Sequence, residues 1–167
     1  LKIISLFGYS GSGKTYFITR AIKKLKQEFN IKVAVIKNIH QHRIDEKGKD
    51  SYLFSQAGAQ YSIIKNEFEE NAIFFKNEVK IDELIKWIES GPLKVDLIFT
   101  EGFRQLPYPA ILCVKEFSEI EQQLSSNVKM ISGFIVNDVS IFIDKSNIPI
   151  VDINKDFRRF LKIFNIN

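Results

Sequence analysis

The sequence predicts a three-layer α/β fold with a mainly parallel central sheet and flanking helices. Three observations carry that prediction. Short apolar or β-branched runs alternate with amphipathic helical stretches along the chain. A glycine-rich turn joins the first run to the first helix. A second buried run follows that helix directly, which makes a βαβ unit with a right-handed crossover and parallel strands. The 167 residues, 45% of them hydrophobic, suit one domain over 1–167 with a substantial core.

Each element follows from local pattern. Ile3 to Phe7 is a short apolar strand running into GYSGSGKT. Tyr16 to Gln27 is helical, with Phe17, Ile18, Ala21, Ile22 and Leu25 on one stripe and Lys23, Lys24 and Lys26 off it. Lys32 to Lys37 (KVAVIK) is a second buried strand. Asn38 to Asp50 is polar and charged, and reads as a loop leaving the carboxyl end of that strand, the edge where open α/β sheets bind ligands. A short helix over Ser51 to Gln56 follows, with Asp50 as its N-cap. Gln60 to Ile64 and Ala72 to Phe75 read as strands, either a small edge hairpin around 60–76 or separate edge strands. Ile81 to Ile88 is helical, stopped by Ser90-Gly91-Pro92. Val95 to Thr100, Ala110 to Val114, Met130 to Val136 and Ile148 to Val151 are strands. Phe117, Ile120 and Leu124 mark a short helix, and Phe157, Phe160, Leu161 and Phe164 a terminal one.

Composition narrows the function classes. The formal net charge of +4 is mild; it permits an acidic ligand or partner and does not argue for nucleic acid, which would call for a clustered basic stripe. The apolar runs are too short to cross a bilayer, and no signal-peptide pattern is visible. The lone cysteine, Cys113, allows no intrachain disulfide and sits in the apolar run ILCV as a small hydrophobe. A cytoplasmic setting is the expectation.

The chemistry is concentrated at the first turn. Gly8, four residues, then Gly13, Lys14 and Thr15 is the spacing of a phosphate-binding loop. Glycines let the backbone approach phosphate oxygens and aim N–H groups at them, and the helix that follows adds free N–H groups of its own. Gly8, Tyr9, Ser10, Gly11, Ser12, Gly13, Lys14 and Thr15 are therefore predicted to cradle a nucleotide, with Lys14 on the outer phosphates and the Thr15 hydroxyl on Mg²⁺.

The same residues and several later runs resemble one family. The opening, then VIKNIH (Val35 to His40), IDEKGKDSY (Ile44 to Tyr52), QAGA (Gln56 to Ala59) and DLIFTEGF (Asp96 to Phe103) are similar, in order and separation, to the MobB family, GTP-binding proteins associated with molybdopterin guanine dinucleotide biosynthesis. The resemblance covers the amino-terminal two thirds well. It departs at Asn38, where the family has a histidine, and at Tyr16, where the family often has a second hydroxyl residue. It implies a nucleoside triphosphatase fold with GTP and Mg²⁺ as cofactors. It also implies a homodimer, a MobA-like guanylyltransferase as partner and molybdopterin as a further ligand.

Beyond the loop, the candidates each carry two readings. Asp96 and Glu101 flank the Val95 to Thr100 strand and are candidate metal ligands; Glu101, nearer the ligand edge, is the preferred one, and Asp96, at the strand start, reads equally as a cap or solvent-facing charge. Asp50 and Lys49 are candidates for supporting a water and meeting phosphate, or for a solvated loop with Asp50 capping a helix, and Asp45 shares that loop. His40 is a candidate for orienting a hydrolytic water or an incidental loop residue. His40 and His42, spaced i, i+2 without a nearby cysteine, do not make a zinc site. Asn137 and Asp138 end a strand, and form either a guanine-reading pair or a turn. Arg43 and Arg104 are the arginines near the ligand edge, and no built-in general base stands out. The expected function is a Mg²⁺-dependent GTP-binding adapter with weak or partner-stimulated hydrolysis. The alternatives are an ATP-dependent small-molecule kinase or ligase, and a nonenzymatic nucleotide-binding scaffold.

Overall fold

The structure, a computed structural model, describes residues 1–40, 42–75, 77–137 and 147–167. In chain order its elements begin with β1 (Lys2–Phe7), α1 (Lys14–Phe29), β2 (Val33–Lys37), α2 (Asp50–Gln56), β3 (Tyr61–Lys65) and β4 (Asn71–Phe75). They continue with α3 (Ile81–Glu89), β5 (Leu97–Glu101), β6 (Ala110–Cys113), α4 (Ser118–Gln123), β7 (Val128–Ser132), a 3₁₀ turn (Phe134–Asn137) and α5 (Phe157–Ile163). The chain divides into two compact units, one of residues 1–38 and 92–167 and the other of residues 39–91. Among the described residues no helix is long and apolar enough to cross a membrane.

The first unit is built on a five-stranded sheet in the order β2-β5-β1-β6-β7, with every adjacent pair parallel. β1 lies at its centre, so the turn that follows Phe7 opens at the middle of the carboxyl edge. The register sets Leu6 and Lys37 on either side of Glu101. Alternation along β1 sends Ile4 and Leu6 to one face and Phe7 to the other. The first face is covered by Phe17, Ile18, Ala21 and Leu25 of α1 and by Phe157, Phe160 and Leu161 of α5, with Phe17 and Phe160 meeting edge-to-face at 5.6 Å. The second is covered by Ile120 of α4 and Ile135. Each buried Leu, Ile or Phe side chain here stabilises the fold by about 1.5–3 kcal/mol. Ser5 and Thr100, buried polar residues of neighbouring strands, satisfy each other through a 2.9 Å hydroxyl–hydroxyl hydrogen bond.

Four local expectations shift. Val33–Lys37 is not a buried strand: it stands at the end of the sheet order and its residues are half-buried or exposed, with Val35 42% exposed. β7 covers Val128–Ser132 rather than Met130 to Val136, because Gly133 takes a φ of +98° and the chain turns into the 3₁₀ segment. A Cβ at Gly133 would lie 2.4 Å from the Ser12 carbonyl oxygen, so the chain passes against the first turn where only glycine fits. Ile148 to Val151 makes a single parallel bridge, Ile131 to Ile150, instead of a strand. Asp50 lies inside the first turn of α2 and Lys49 holds the N-cap position, so the capping reading of Asp50 is corrected to a first-turn acid facing the helix dipole.

The second unit contains the antiparallel hairpin β3–β4, in register from Tyr61↔Phe75 to Lys65↔Asn71. Its turn is held by Asn66, whose side-chain oxygen accepts from the N–H groups of Phe68 (2.9 Å) and Glu70 (3.0 Å). Phe75 packs against Tyr61 and, edge-to-face at 5.9 Å, against Trp87 of α3. The carboxylate of Glu83 accepts from the Lys80 N–H at 2.8 Å and closes the start of α3.

Candidate functional site

The site grows out of the end of β1. Three glycines of the turn, Gly8, Gly11 and Gly13, have φ of +144°, +72° and +96°. At Gly8 a Cβ would fall 1.9 Å from the Cys113 carbonyl oxygen, so the turn is folded flat against the neighbouring strand. The first helical hydrogen bond of α1 runs from the Phe17 N–H to the Gly13 carbonyl at 2.9 Å. The amides of Lys14, Thr15 and Tyr16 precede it and have no intrahelical acceptor, so they face the mouth of the turn with the positive end of the helix dipole. The Ser12 hydroxyl is buried with no hydrogen-bond partner among the described residues. A concave turn ringed by donors, with an orphaned hydroxyl in it, fits an anionic group with several acceptor oxygens.

Lys14 arches over this turn and donates to the carbonyls of Gly8 (2.9 Å) and Tyr9 (2.8 Å). Burial lowers its pKa from the ordinary 10.5, an effect that Cys113 and Glu101 oppose and Lys37 and Arg104 reinforce. Thr15 donates its hydroxyl proton to Glu101 Oε1 at 2.9 Å. Lys37 reaches the same pair, 3.3 Å from Glu101 Oε1 and 3.5 Å from Thr15 Oγ1. Glu101 is nearly buried, with a side chain only 7% exposed. A hydroxyl and a carboxylate this close form a hard-oxygen set that suits Mg²⁺, an ion that keeps most of its shell for water and phosphate. The ammonium of Lys37 already lies where positive charge is required.

The predicted site residues therefore divide. The glycine turn, Lys14, Thr15 and Glu101 converge. Asp96 does not join them, because it precedes β5 at the opposite edge of the sheet, ~16 Å along the strand from Glu101. There its carboxylate accepts from the Lys32 N–H at 2.9 Å, so its expected metal role is corrected to a cap that ties β2 to β5. Asn137 ends the 3₁₀ turn and lines a cavity beside Gly13. Asp138 lies outside the described residues. His40, Lys49 and Asp50 are exposed residues of the 39–91 unit, where Lys49 lies 3.8 Å from Glu46. Asp45 accepts from the Ser51 hydroxyl at 2.8 Å in that unit. His42 and Arg43 line a cavity there with Ile44, Asp45 and Tyr52. Among the described residues no three His, Cys, Asp or Glu side chains gather as a metal cluster.

Three residues escaped the sequence reading. Lys37 was legible only as the end of a strand; its role needs the cross-strand register that sets it beside Glu101. Asp152 and Asn154 come from a remote loop and meet Tyr16 and Gly13 in one cavity. Arg104 has a place as well. Its guanidinium stacks over the rings of Tyr9 (5.3 Å) and Phe7 (5.8 Å) and donates to Gln123 Oε1, which holds it beside the turn.

Comparison with known proteins gives a family. The model of MobB, molybdopterin guanine dinucleotide synthesis protein B, matches residues 3–137. The chain belongs to the MobB family. It is 36% identical over 115 residues to the molybdopterin-guanine dinucleotide biosynthesis adapter protein of Haemophilus influenzae, covering 67% of this chain and 62% of that one. To the adapter protein of the same description from Escherichia coli it is 29% identical over 107 residues, covering 62% of this chain and 60% of that one. The chain thus spans less than two thirds of the length of these two curated relatives. In fold it is similar to the crystal structure of Bacillus subtilis MobB, with a TM-score of 0.78, 21% identity and full coverage of both chains. The MobB homologue of Bacillus stearothermophilus superposes with a TM-score of 0.70 at 16% identity, over 99% of this chain and 97% of that one. The family match reaches Asn137 and stops short of the Asp152 loop.

Proposed function

We propose that this member of the MobB family is a Mg²⁺-dependent GTP-binding adapter in the guanylation of molybdopterin, working with a MobA-like guanylyltransferase and hydrolysing GTP weakly or on partner stimulation. A role in molybdenum-cofactor biosynthesis follows from the family. The observation that carries the nucleotide is the closed glycine turn with Thr15 and Glu101 2.9 Å apart at its mouth. In this reading the amides of Lys14, Thr15 and Tyr16 bind the phosphate tail. Lys14 leaves the Gly8 and Tyr9 carbonyls for the outer phosphates. Thr15 and Glu101 hold the magnesium ion, which when bound neutralises phosphate charge. Lys37 and the ring-stacked Arg104 add cations at the same edge.

Weak turnover fits these contacts. Glu101, the carboxylate at the turn, is held by Thr15 and Lys37 and is poorly suited to abstract a proton from water. In this reading His40 and Asp50 position a water and Lys49 contacts phosphate, because their segment leaves the carboxyl end of β2. Asn38 starts that segment, and its N–H bonds the Glu101 carbonyl at 2.9 Å. The proposal also includes a homodimer through the β3–β4 hairpin, supported by the 58% and 59% exposure of Tyr61 and Ile63. A cytoplasmic setting fits the single free Cys113.

The test is a titration of GTP, ATP and their diphosphates in the presence of Mg²⁺. Tight GTP binding with negligible ATP binding supports the reading; equal binding removes its guanine component. Lys14→Ala should weaken triphosphate binding by about a hundredfold, the loss of one or two charge-assisted hydrogen bonds. Unchanged affinity would refute the assignment of the turn.

A further inference from the structure

A cavity of about 270 Å³ opens beside Gly13, bounded by Tyr16, Asn137, Asp152 and Asn154 as well as apolar groups. Gly13 belongs both to the turn and to this cavity, so the cavity adjoins the place where a phosphate group in the turn would lie. The cavity lies near the lower end of the roughly 300–1,000 Å³ range of small-molecule sites, a size for one flat heterocycle.

We infer that this cavity receives the base of the nucleotide and that Asp152 is the residue that selects guanine. The inference rests on the triphosphate reading of the turn given above. Asp152 is fixed at the root of α5: its carbonyl accepts from the N–H groups of Lys155 (3.2 Å) and Asp156 (2.9 Å). One carboxylate oxygen accepts from the Asn154 N–H at 2.8 Å. The other lies 3.7 Å from the ammonium of Lys155, a side chain 75% exposed, while the Asp152 side chain is only 16% exposed. That second oxygen belongs to a mostly sheltered side chain and, among the described residues, meets a loose surface ion pair.

A carboxylate only accepts hydrogen bonds. Guanine presents two adjacent donors, N1–H and the 2-amino group, beside the O6 acceptor. Adenine presents an acceptor at N1, which a carboxylate repels. The amide of Asn137 can donate to O6 or N7. Tyr16 forms a wall: its hydroxyl accepts from Asn154 Nδ2 at 3.1 Å, and Arg20 stacks over its ring at 5.2 Å. Asp138, the sequence-based candidate for the same task, lies outside the described residues.

The experiment compares wild type and Asp152→Asn with GTP, xanthosine triphosphate, inosine triphosphate and inorganic tripolyphosphate, all with Mg²⁺. Asparagine keeps the acceptor for the Asn154 N–H and replaces the other oxygen by a donor. Wild type should bind GTP at least tenfold tighter than inosine triphosphate, which lacks the amino group. Asp152→Asn should lose GTP affinity by about a hundredfold or more, gain xanthosine triphosphate, and keep tripolyphosphate. A variant with unchanged base preference overturns the inference, and so does a wild type that binds guanosine and inosine triphosphates alike; that second comparison needs no variant to fold. Wild type that binds neither GTP nor tripolyphosphate overturns instead the reading of the turn itself.

Discussion

Replacing Gly133 by alanine isolates the contact that shapes the glycine turn from behind. Gly133 has a φ of +98°, and an added Cβ would lie 2.4 Å from the Ser12 oxygen, 2.7 Å from the Val114 oxygen and 2.8 Å from the Val114 nitrogen. The backbone conformation alone costs about 1–3 kcal/mol for alanine. Overlap with three backbone atoms that belong to the core adds about 1–3 kcal/mol more. The sum is about 2–6 kcal/mol. At about 2–4 °C per kcal/mol for a chain of this size, a fall of at least ~4 °C in the melting temperature is expected. Gly102→Ala is the control. Its φ of +89° carries the same kind of strain, but its Cβ would meet nothing closer than 3.4 Å. Thermal melts followed by circular dichroism, with nucleotide titrations on the same samples, give the comparison. Gly133→Ala should melt below Gly102→Ala and lose most triphosphate binding, because Ser12 is pushed into the turn. Equal melting points for the two variants would refute the idea that the Ser12–Gly133 approach is a steric constraint.

Other consequences can be checked alongside. Glu101→Gln removes the charge shared by Thr15 and Lys37, and should weaken Mn²⁺ binding in the presence of GTP by about tenfold or more, read by paramagnetic resonance; unaltered Mn²⁺ affinity excludes Glu101 from the metal. Asp96→Ala loses the bond to the Lys32 N–H and should cost about 1 kcal/mol of stability with no change in nucleotide affinity, so a binding defect would count against its role as a cap. Burial pushes the Cys113 thiol from 9.0 up to about 12. The unfolded chain therefore loses its thiol proton first, and this group's contribution to stability, fully present below pH 9.0, declines as pH rises from 9.0 towards about 12. Denaturant melts should show a shallower alkaline decline for Cys113→Ala than for wild type, and the native thiol should resist modifying reagents at neutral pH.

The parts of this protein that the sequence determined by itself are those whose cause is local. Positive φ at Gly8, Gly11 and Gly13 is a property of single residues, so the turn could be read from its glycines. The stripe of Phe17, Ile18, Ala21 and Leu25 is a property of helical spacing, and these four residues are buried. The β-branched runs gave the parallel strands for the same reason. What tertiary structure decided are relations between distant residues. Strand direction already favours Glu101 over Asp96 for the ligand edge, but the contacts that make Glu101 a partner of Thr15 and Asp96 a cap on the Lys32 N–H come from the tertiary structure. Lys37 acquires a role from cross-strand register, which no periodicity encodes. Met130 to Val136 is apolar enough for a strand, yet the approach of Gly133 to Ser12 ends β7 at Ser132. Asp152 sits 139 residues after Gly13 in the chain and shares a cavity with it because the parallel sheet brings its carboxyl ends to one edge. Local chemistry fixes what each residue can do; strand order and register, set by burial of the sheet on both faces, fix what it meets.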